Sequence, residues 1–207
     1  MASFRSSPKK YSAAVLVPLA VAVFFLAGGQ ARISGETIGV CVPETREPVD
    51  EIAPEPLTAA ERALVAHLSH RYLIGRDAAA PMVLAAHRAA RQVGLDPLLV
   101  LAVIAVESRF NPVAESVMGA KGLMQIIPKF HRAKLEELGG EEAVFDPESN
   151  ILLGARILQE YVRRTGTLEA GLQYYNGASW DETGQYTQKV LAERERLARV
   201  VLKTRGG

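Results

Sequence analysis

Residues 97–106 constrain the fold of this chain more than any other segment, because none of them carries a charged or polar side chain. A helix that is apolar all round has no face for solvent, so the run predicts a helix buried inside a helical core. Glu107 follows the run directly, and Asn111-Pro112 then disfavours any continuation of the helix. The sequence therefore predicts a carboxyl group at the end of a buried helix.

The Glu107 carboxyl would be costly to ionise in that position. Burial disfavours the charged form, and the negative end of the helix dipole adds to the effect, so both raise the pKa. A carboxylic acid that keeps its proton near neutral pH can protonate a leaving oxygen, as in glycoside cleavage. A helix-terminal glutamate that simply reaches water is the alternative, and position alone does not separate the two.

Helix signals recur along the rest of the chain, and strand-like alternation is essentially absent. Thr58 and Glu61 fit a capping box, and Asp96-Pro97 and Asp146-Pro147 each pair an N-cap with a proline at the first helical position. The predicted helices are 58–74, 79–93 before a Gly94 C-cap, 97–107, 128–138, one from 147 with inner face Ile151, Leu152, Ala155, Leu158 and Val162, 167–175, and 186–201. The predicted fold class is all-α, with a single compact domain.

The chain before this domain divides into two predicted segments. Residues 1–31 start with three bases and continue into an uncharged, mostly apolar stretch at 13–27. That stretch is shorter than the ~20 residues of a spanning helix, which favours a cleaved signal peptide; extended to Gly29, it would serve as an uncleaved anchor. Residues 32–57 are rich in proline and acids and predict a flexible linker. The domain is expected at 58–205, exported to the periplasm.

Composition excludes several classes of function. Of the 207 residues 48% are hydrophobic and 23% charged, which is ordinary for a globular protein, and the net charge of +1 gives no basic field for nucleic acid. Cys41 is the only cysteine, so no intrachain disulfide can form. His67 and His70 have no acid at a matching ligand spacing. No metal or cofactor is implied.

One long block of residues carries a family resemblance. From Glu107 the chain reads Glu-Ser-Arg-Phe-Asn-Pro, then Ser116, then Gly-Ala-Lys-Gly-Leu-Met-Gln-Ile-Ile-Pro up to Pro128. This block resembles the signature of the soluble lytic transglycosylase (SLT) domain family, which has a fold like goose-type lysozyme. Residues 146–154 are similar to its Asp-Pro-x-x-Asn-Ile-x-x-Gly helix start, 174–177 to its Ala-Tyr-Asn-x-Gly, and 182–186 to its Glu-Thr-x-x-Tyr. The resemblance covers roughly residues 80–200.

The resemblance implies a peptidoglycan lytic transglycosylase, which cleaves the bond between N-acetylmuramic acid and N-acetylglucosamine and closes a 1,6-anhydro ring. Glu107 would act as acid and then as base, without a metal or cofactor. The implied substrate-binding residues are Ser116 and Gln125 at the N-acetyl group and the acid, Tyr175 near the acid, Glu182 on the substrate, and Asn150, which braces the catalytic region. From the residues alone, Asn150 satisfying a helix end, a core Tyr175 and a solvated Glu182 stay open.

The chain also departs from the family pattern. Ile127 stands where the family often has Met, Phe130-His131 where it often has Thr-Ala, and the Asn-x-Gly spacing is one residue shorter at Asn176. These departures concern the edge of the groove and the sugar subsites rather than the acid. Trp180 beside the shortened loop is either a stacking platform for a sugar or a structural aromatic.

Three alternatives remain open at the level of sequence. A muramidase-type hydrolase would use the same acid on water, with Glu115 or Glu182 as distant candidates for a second carboxylate. A non-catalytic protein would bind peptidoglycan glycan strands with an idle site. A secretion-system or pilus accessory enzyme would perform the same chemistry in another setting, with membrane contact only through the N-terminal segment.

Overall fold

The computed structural model describes residues 56–177 and 183–205. Within these ranges the chain forms seven α-helices, two short 3-10 segments, and isolated bridges but no β-strand. The helices are α1 (Ala59–Tyr72), α2 (Arg76–Val93), α3 (Pro97–Glu107), α4 (Arg132–Glu136), α5 (Pro147–Thr165), α6 (Leu168–Tyr175) and α7 (Gln185–Lys203), and the 3-10 segments are Pro128–Phe130 and Glu141–Phe145. The all-α prediction is confirmed for this part of the chain, and none of these helices is long and apolar enough to cross a bilayer.

The helix starts follow from their capping residues. At α1 the Thr58 Oγ1 accepts the N–H of Glu61 at 3.2 Å, and the Glu61 carboxylate accepts the Thr58 N–H at 2.8 Å. The Asp96 carboxylate accepts the N–H of Leu98 at 2.9 Å at the start of α3. The Asp146 carboxylate likewise accepts the backbone N–H three residues later at the start of α5. Each cap satisfies N–H groups that have no partner within the helix, and all three predicted starts are confirmed.

Helix α3 lies in the centre of the core. Its residues 99–105 are at most 5% exposed, and α2 and α7 pack against it, while α5 covers α2 and α6 covers α5. The prediction of a helix buried on all sides is therefore confirmed. Because α3 ends at Glu107, the first charged side chain after the apolar run emerges where the buried helix stops.

Several predicted helix boundaries are wrong. The segment predicted as one helix over 128–138 is a 3-10 segment followed by the five residues of α4, separated by His131 with φ −130°. Helix α1 ends at Tyr72 rather than 74, because Leu73 adopts the left-handed conformation with φ 58°. Helix α2 starts at Arg76 rather than 79.

The predicted inner face of α5 is confirmed at Ile151, Ala155 and Leu158, which are fully buried, and is wrong in part elsewhere. Leu153 and Ile157 are buried, whereas Leu152 and Val162 are only partly buried against the core. The physical reason is that Asn150 and Gly154 take inward positions on this helix. A pattern built from apolar residues alone passes over both of them.

Candidate active site

Glu107 lies at the C-terminal end of α3, and its carboxyl is bonded to a phenol from α7. The Tyr186 hydroxyl donates a hydrogen bond to Glu107 Oε1 at 2.6 Å. Tyr186 belongs to the first turn of α7 and is 8% exposed. The packing of α3 against α7 thus brings together two side chains that are 79 residues apart in sequence.

Burial raises the pKa of the Glu107 carboxyl to about 7, and the hydrogen bond from Tyr186 opposes that rise. Removal from water penalises the ionised form, whereas a donor to the carboxylate favours it. Neither cause is a neighbouring charge. A group with this pKa is present in both protonation states near neutral pH, so it can give up a proton and later accept one.

The backbone after Glu107 is held in an unusual conformation. Arg109 and Phe110 are consecutive non-glycine residues with φ of 55° and 65°, at a cost of about 1–2 kcal/mol each. Phe110 is 1% exposed, and its ring lies 5.1 Å from that of Tyr72. Burial of a phenylalanine contributes about 1.5–3 kcal/mol, which offsets much of the strain and fixes the direction in which the chain leaves α3.

The loop that follows folds back on itself around Gln125. The Gln125 Nε2 donates to the carbonyls of Ala114 and Gly122 at 3.1 and 3.0 Å. Lys121 and Ile126 exchange both backbone hydrogen bonds at 2.8 and 3.0 Å. Gln125 itself has φ 50°, so its side chain and its backbone both shape the loop.

Ser116 closes a tight turn in the same loop. Its Oγ accepts the N–H of Ala120 at 3.0 Å, and its backbone N–H donates to the Ala120 carbonyl at 2.9 Å. The side chain is only partly exposed. Ser116 and Gln125 therefore both stabilise the loop beside Glu107, and their contact with a substrate stays a prediction.

Asn150 of α5 holds the loop around Gln125 against this helix. Its Oδ1 accepts the N–H of Met124 at 2.8 Å, and its Nδ2 donates to the carbonyls of Lys121 and Val144 at 3.1 and 2.6 Å. At 1% exposure the amide has no surface to offer to a ligand. Grouping Asn150 with the substrate-binding residues is therefore wrong, and the bracing role is the one that its contacts support.

Two glycines allow this close approach. A Cβ on Gly122, whose φ is +76°, would lie 2.3 Å from Asn150 Nδ2 and 2.5 Å from the Val144 carbonyl. A Cβ on Gly154 would lie 2.4 Å from the Met124 sulfur. Only glycine fits either position without displacement of the loop or of α5.

Tyr175 lies near the acid but does not bond to it. Its hydroxyl donates to the Met124 carbonyl at 2.8 Å, and burial together with the charge of Glu107 raises its pKa well above the ordinary value. The phenol that bonds to the acid is Tyr186, which was not among the site residues predicted from the sequence. The signal for it was the tyrosine of the Glu-Thr-x-x-Tyr segment. Glu182 of that segment, and Trp180, lie outside the described residues.

Within the described residues, neither Glu115 nor a cluster of metal-binding side chains adds to the site. Glu115 is exposed and pairs with Lys121 at 3.6 Å. In the ranges that the structure covers, no three His, Cys, Asp or Glu side chains converge as metal ligands.

A cavity of about 520 Å³ opens beside Gln125 and Tyr175 and extends between α4, α5 and α6.

The fold is shared with a solved structure. A crystal structure of an inactive mutant of the lytic transglycosylase Slt from Pseudomonas aeruginosa superposes with a TM-score of 0.51, over 56% of this chain and 24% of that chain, at 23% sequence identity. The described helices therefore form an all-α domain of the lysozyme-like class.

The family follows from the sequence match. Residues 85–194 match the model of the Transglycosylase SLT domain, which is more than half of the chain, and the chain belongs to this family. It is 40% identical over 108 residues to a transglycosylase of Enterobacteria phage PRD1, across 50% of this chain. It is 28% identical over 155 residues to a membrane-bound lytic murein transglycosylase C of Photorhabdus laumondii, across 67% of this chain. The chain spans 39% of the length of each relative.

Proposed function

We propose that this protein is a peptidoglycan lytic transglycosylase that cleaves the β-1,4 bond between N-acetylmuramic acid and N-acetylglucosamine. The observation that carries the proposal is the Glu107 carboxyl, with its pKa of about 7 at the end of a buried helix. Membership in the SLT family, together with relatives named lytic murein transglycosylases, supports the choice of substrate.

In the proposed reaction Glu107 alternates between acid and base. The protonated carboxyl gives its proton to the glycosidic oxygen as the bond to the muramoyl C1 breaks. The resulting carboxylate then takes the proton of the muramoyl C6 hydroxyl, whose oxygen bonds to C1 and closes the 1,6-anhydro ring. One carboxyl suffices because the substrate itself supplies the nucleophile, whereas a two-carboxylate hydrolase activates water or attacks the sugar.

The neighbours of Glu107 would position this chemistry. Tyr186 donates to the carboxyl and would favour the ionised form after the first proton transfer. Ser116 and Gln125 hold the loop beside the acid and would contact an N-acetyl group at its surface. Tyr175 would line the substrate path, and Glu182 is proposed as a further contact.

We also infer a location and a domain layout. Relatives named membrane-bound transglycosylases support a place in the cell envelope, with the domain in the periplasm. Residues 1–31 would act as signal peptide or inner-membrane anchor, 32–57 as linker and 58–205 as the catalytic domain. Association with a secretion system or pilus is a further proposal that rests on the linker alone.

The function is tested by digestion of purified sacculi with the wild-type protein, Glu107→Gln and Glu115→Gln. We expect the wild type to release fragments with anhydro-muramoyl ends, identified by mass spectrometry as one water lighter than reducing ends. Loss of a general acid costs about 10²–10⁴-fold in rate, so Glu107→Gln should release at least about 100-fold less. Glu115→Gln is the matched control, because the ion pair of that exposed acid, among the described residues, is with Lys121 and not with the site around Glu107.

Other results of the digestion would point to a different function. Reducing ends in place of anhydro ends would make the protein a hydrolase. Equal release by the wild type and Glu107→Gln would remove Glu107 from catalysis. Binding to sacculi with no release by any variant would leave a non-catalytic peptidoglycan-binding domain.

A further inference from the structure

The cavity beside Gln125 and Tyr175 has a composition that cleavage of an uncharged sugar bond does not require. Its volume of about 520 Å³ lies within the usual range of ligand sites. Tyr175 connects it to the acid, since this residue lines the cavity and lies close enough to Glu107 to feel its charge. The far wall consists of side chains from α4, α5 and α6.

Arg164 dominates that far wall. Its guanidinium carbon lies 4.1 Å from the ring centroid of Tyr174 and 4.9 Å from that of Tyr161, and the two rings are 4.7 Å apart. Contact with the face of an aromatic ring does not use up the hydrogen-bond donors of a guanidinium, so its N–H groups can still bind an acceptor. Across the described ranges, Arg164 makes no ion pair or hydrogen bond with another side chain.

The remaining charges of the cavity cancel. Lys134 and Glu160 form an ion pair at 3.1 Å. Burial and the neighbouring charge of Lys134 lower the pKa of His131, which favours the neutral imidazole. Among the described residues that line the cavity, Arg164 therefore carries the one uncompensated charge. A single guanidinium with a free fork fits a carboxylate, which it can bind through two parallel hydrogen bonds.

The rim of the cavity suits a ligand that also has an apolar part. Phe130 is 67% exposed and lies in the lining together with Ile127 and Ile157. Phe130-His131 is also where the chain departs from the Thr-Ala that the family often has. The lining thus combines one uncompensated cation, Arg164, with an aromatic and aliphatic surface.

We propose that this cavity binds a carboxylate carried on the lactyl arm of a muramoyl residue, in glycan held by the proposed catalytic site. The inference rests on the proposed function, because it requires peptidoglycan as the ligand. The sugar rings and N-acetyl groups of the glycan are uncharged, so the cation of Arg164 has a partner only on the lactyl arm. Two sources supply it: the stem peptide, or the lactyl group itself once the peptide is removed.

The experiment compares three forms of one glycan preparation: strands with stem peptides, strands stripped of peptides, and peptide-bearing strands whose carboxylates have been amidated. The variants are Arg164→Gln, Arg164→Lys and, as the matched control, Arg163→Gln, which removes the same charge from the adjacent residue; both arginines are exposed, but only Arg164 lines the cavity. We expect Arg164→Gln to lower kcat/KM about 10–100-fold on strands with the relevant carboxylate. It should leave the amidated strands unchanged, and Arg164→Lys should recover part of the loss.

The source is identified by which unamidated strand shows the loss. Equal loss on all three strands, no loss on either carboxylate-bearing strand, or the same loss in Arg163→Gln would overturn the inference. Thermal unfolding of each variant checks that the fold is intact.

A binding measurement separates this inference from the proposed function. The full-length protein is titrated calorimetrically with a peptide-bearing disaccharide, with its amidated form and with the peptide-free disaccharide that carries the lactyl carboxylate. The ligand with the relevant carboxylate should bind about tenfold or more tightly than the amidated form, and Arg164→Gln should remove that ratio. A carboxylate-dependent affinity without cleavage of sacculi would contradict the proposed function and support the cavity as a carboxylate site. Cleavage of sacculi without any dependence of affinity on the carboxylate would support the proposed function and contradict the carboxylate site.

Discussion

At the scale of single residues, the buried Glu107 carboxyl lowers the free energy of unfolding of the protein wherever it must ionise. The folded protein raises the pKa of this carboxyl from 4.5 to about 7. Between these values the unfolded chain loses its proton while the folded protein keeps it, so the free energy of unfolding falls as pH rises through this window. Below 4.5 both states are protonated and the cost disappears. Above about 7 the cost is complete, at about 3 kcal/mol.

The first prediction is that Glu107→Gln removes this cost. The amide keeps an oxygen that can accept the Tyr186 hydrogen bond but does not ionise. We expect the variant to match the wild type in free energy of unfolding near pH 4 and to exceed it by about 3 kcal/mol at pH 8, measured by urea denaturation across that range. A difference that is constant with pH would contradict the raised pKa of Glu107.

The second prediction concerns the Tyr186 hydroxyl. Its hydrogen bond lowers the pKa of Glu107 relative to burial alone, so Tyr186→Phe should raise that pKa. A bond to a charged group is worth about 1.5–3 kcal/mol, which corresponds to one to two pH units. In the proposed reaction the rate falls as the acid ionises, and we expect the alkaline midpoint of kcat/KM to move upward by about that amount.

Tyr175→Phe provides the comparison for this experiment. The Tyr175 hydroxyl bonds to the Met124 carbonyl and not to the acid, so its removal should reduce stability by about 1 kcal/mol and leave the alkaline midpoint in place. If the two variants shift the midpoint equally, the hydrogen bond from Tyr186 has no special effect on Glu107.

At the scale of elements, the junction between the loop and α5 determines where the active-site wall lies. Asn150 holds three backbone groups around the loop, and Gly122 fits against its amide. The position of the loop is therefore determined by its contacts with the long helix α5 rather than by its own short turns. A small shift at this junction would move Gln125 and the surface beside Glu107 together.

The third prediction uses two glycines of the same loop with nearly the same conformation. Gly119 has φ +79° with nothing within 4 Å of an added Cβ, whereas Gly122 has φ +76° with the Asn150 amide at 2.3 Å. Gly119→Ala should cost about 1–2 kcal/mol from backbone strain. Gly122→Ala should cost about 1–3 kcal/mol more from the steric overlap. Urea unfolding measures both, and equal losses would contradict the close packing at Gly122.

The elements themselves could largely be predicted from sequence, because their signals are local. Thr58, Asp96 and Asp146 each cap a helix through a neighbouring N–H, so nearby residues alone determine the start. The inward positions of Asn150 and Gly154 could not be found in this way, since a polar amide and a glycine face the core only when a distant loop meets them. The role of Tyr186 has the same origin: the contact to Glu107 depends on how α7 packs against α3.

At the scale of the whole molecule, the described hydrophobic core draws all its members from residues between Leu57 and Val201. The fourth prediction follows: removal of residues 1–55 should leave a domain that unfolds cooperatively, with a Tm within a few degrees of the full-length protein. Thermal denaturation followed by circular dichroism measures both. A large drop in Tm, or loss of the cooperative transition, would mean that the removed segment belongs to the folded unit.

The proposed carboxylate cavity also depends on the fold of the whole domain, and it could not be predicted from the sequence. Arg164, Tyr174 and Phe130 come from three different elements with no shared motif or regular spacing. Only the folding of α5 and α6 against each other brings the guanidinium and the ring together. Charge pairing is equally hidden, since the ion pair of Lys134 with Glu160 joins α4 to α5.

Helix α1 lies before the family match, which begins at residue 85, yet it is inseparable from the rest. It buries Leu64 and Leu68 completely, and its last residue, Tyr72, bonds to Glu193 of α7 at 2.8 Å. A fragment that starts at residue 85 would expose the apolar surfaces that α1 covers, and it would aggregate in solution. Any graft of this domain onto another protein must therefore carry the chain from its Thr58 cap onward.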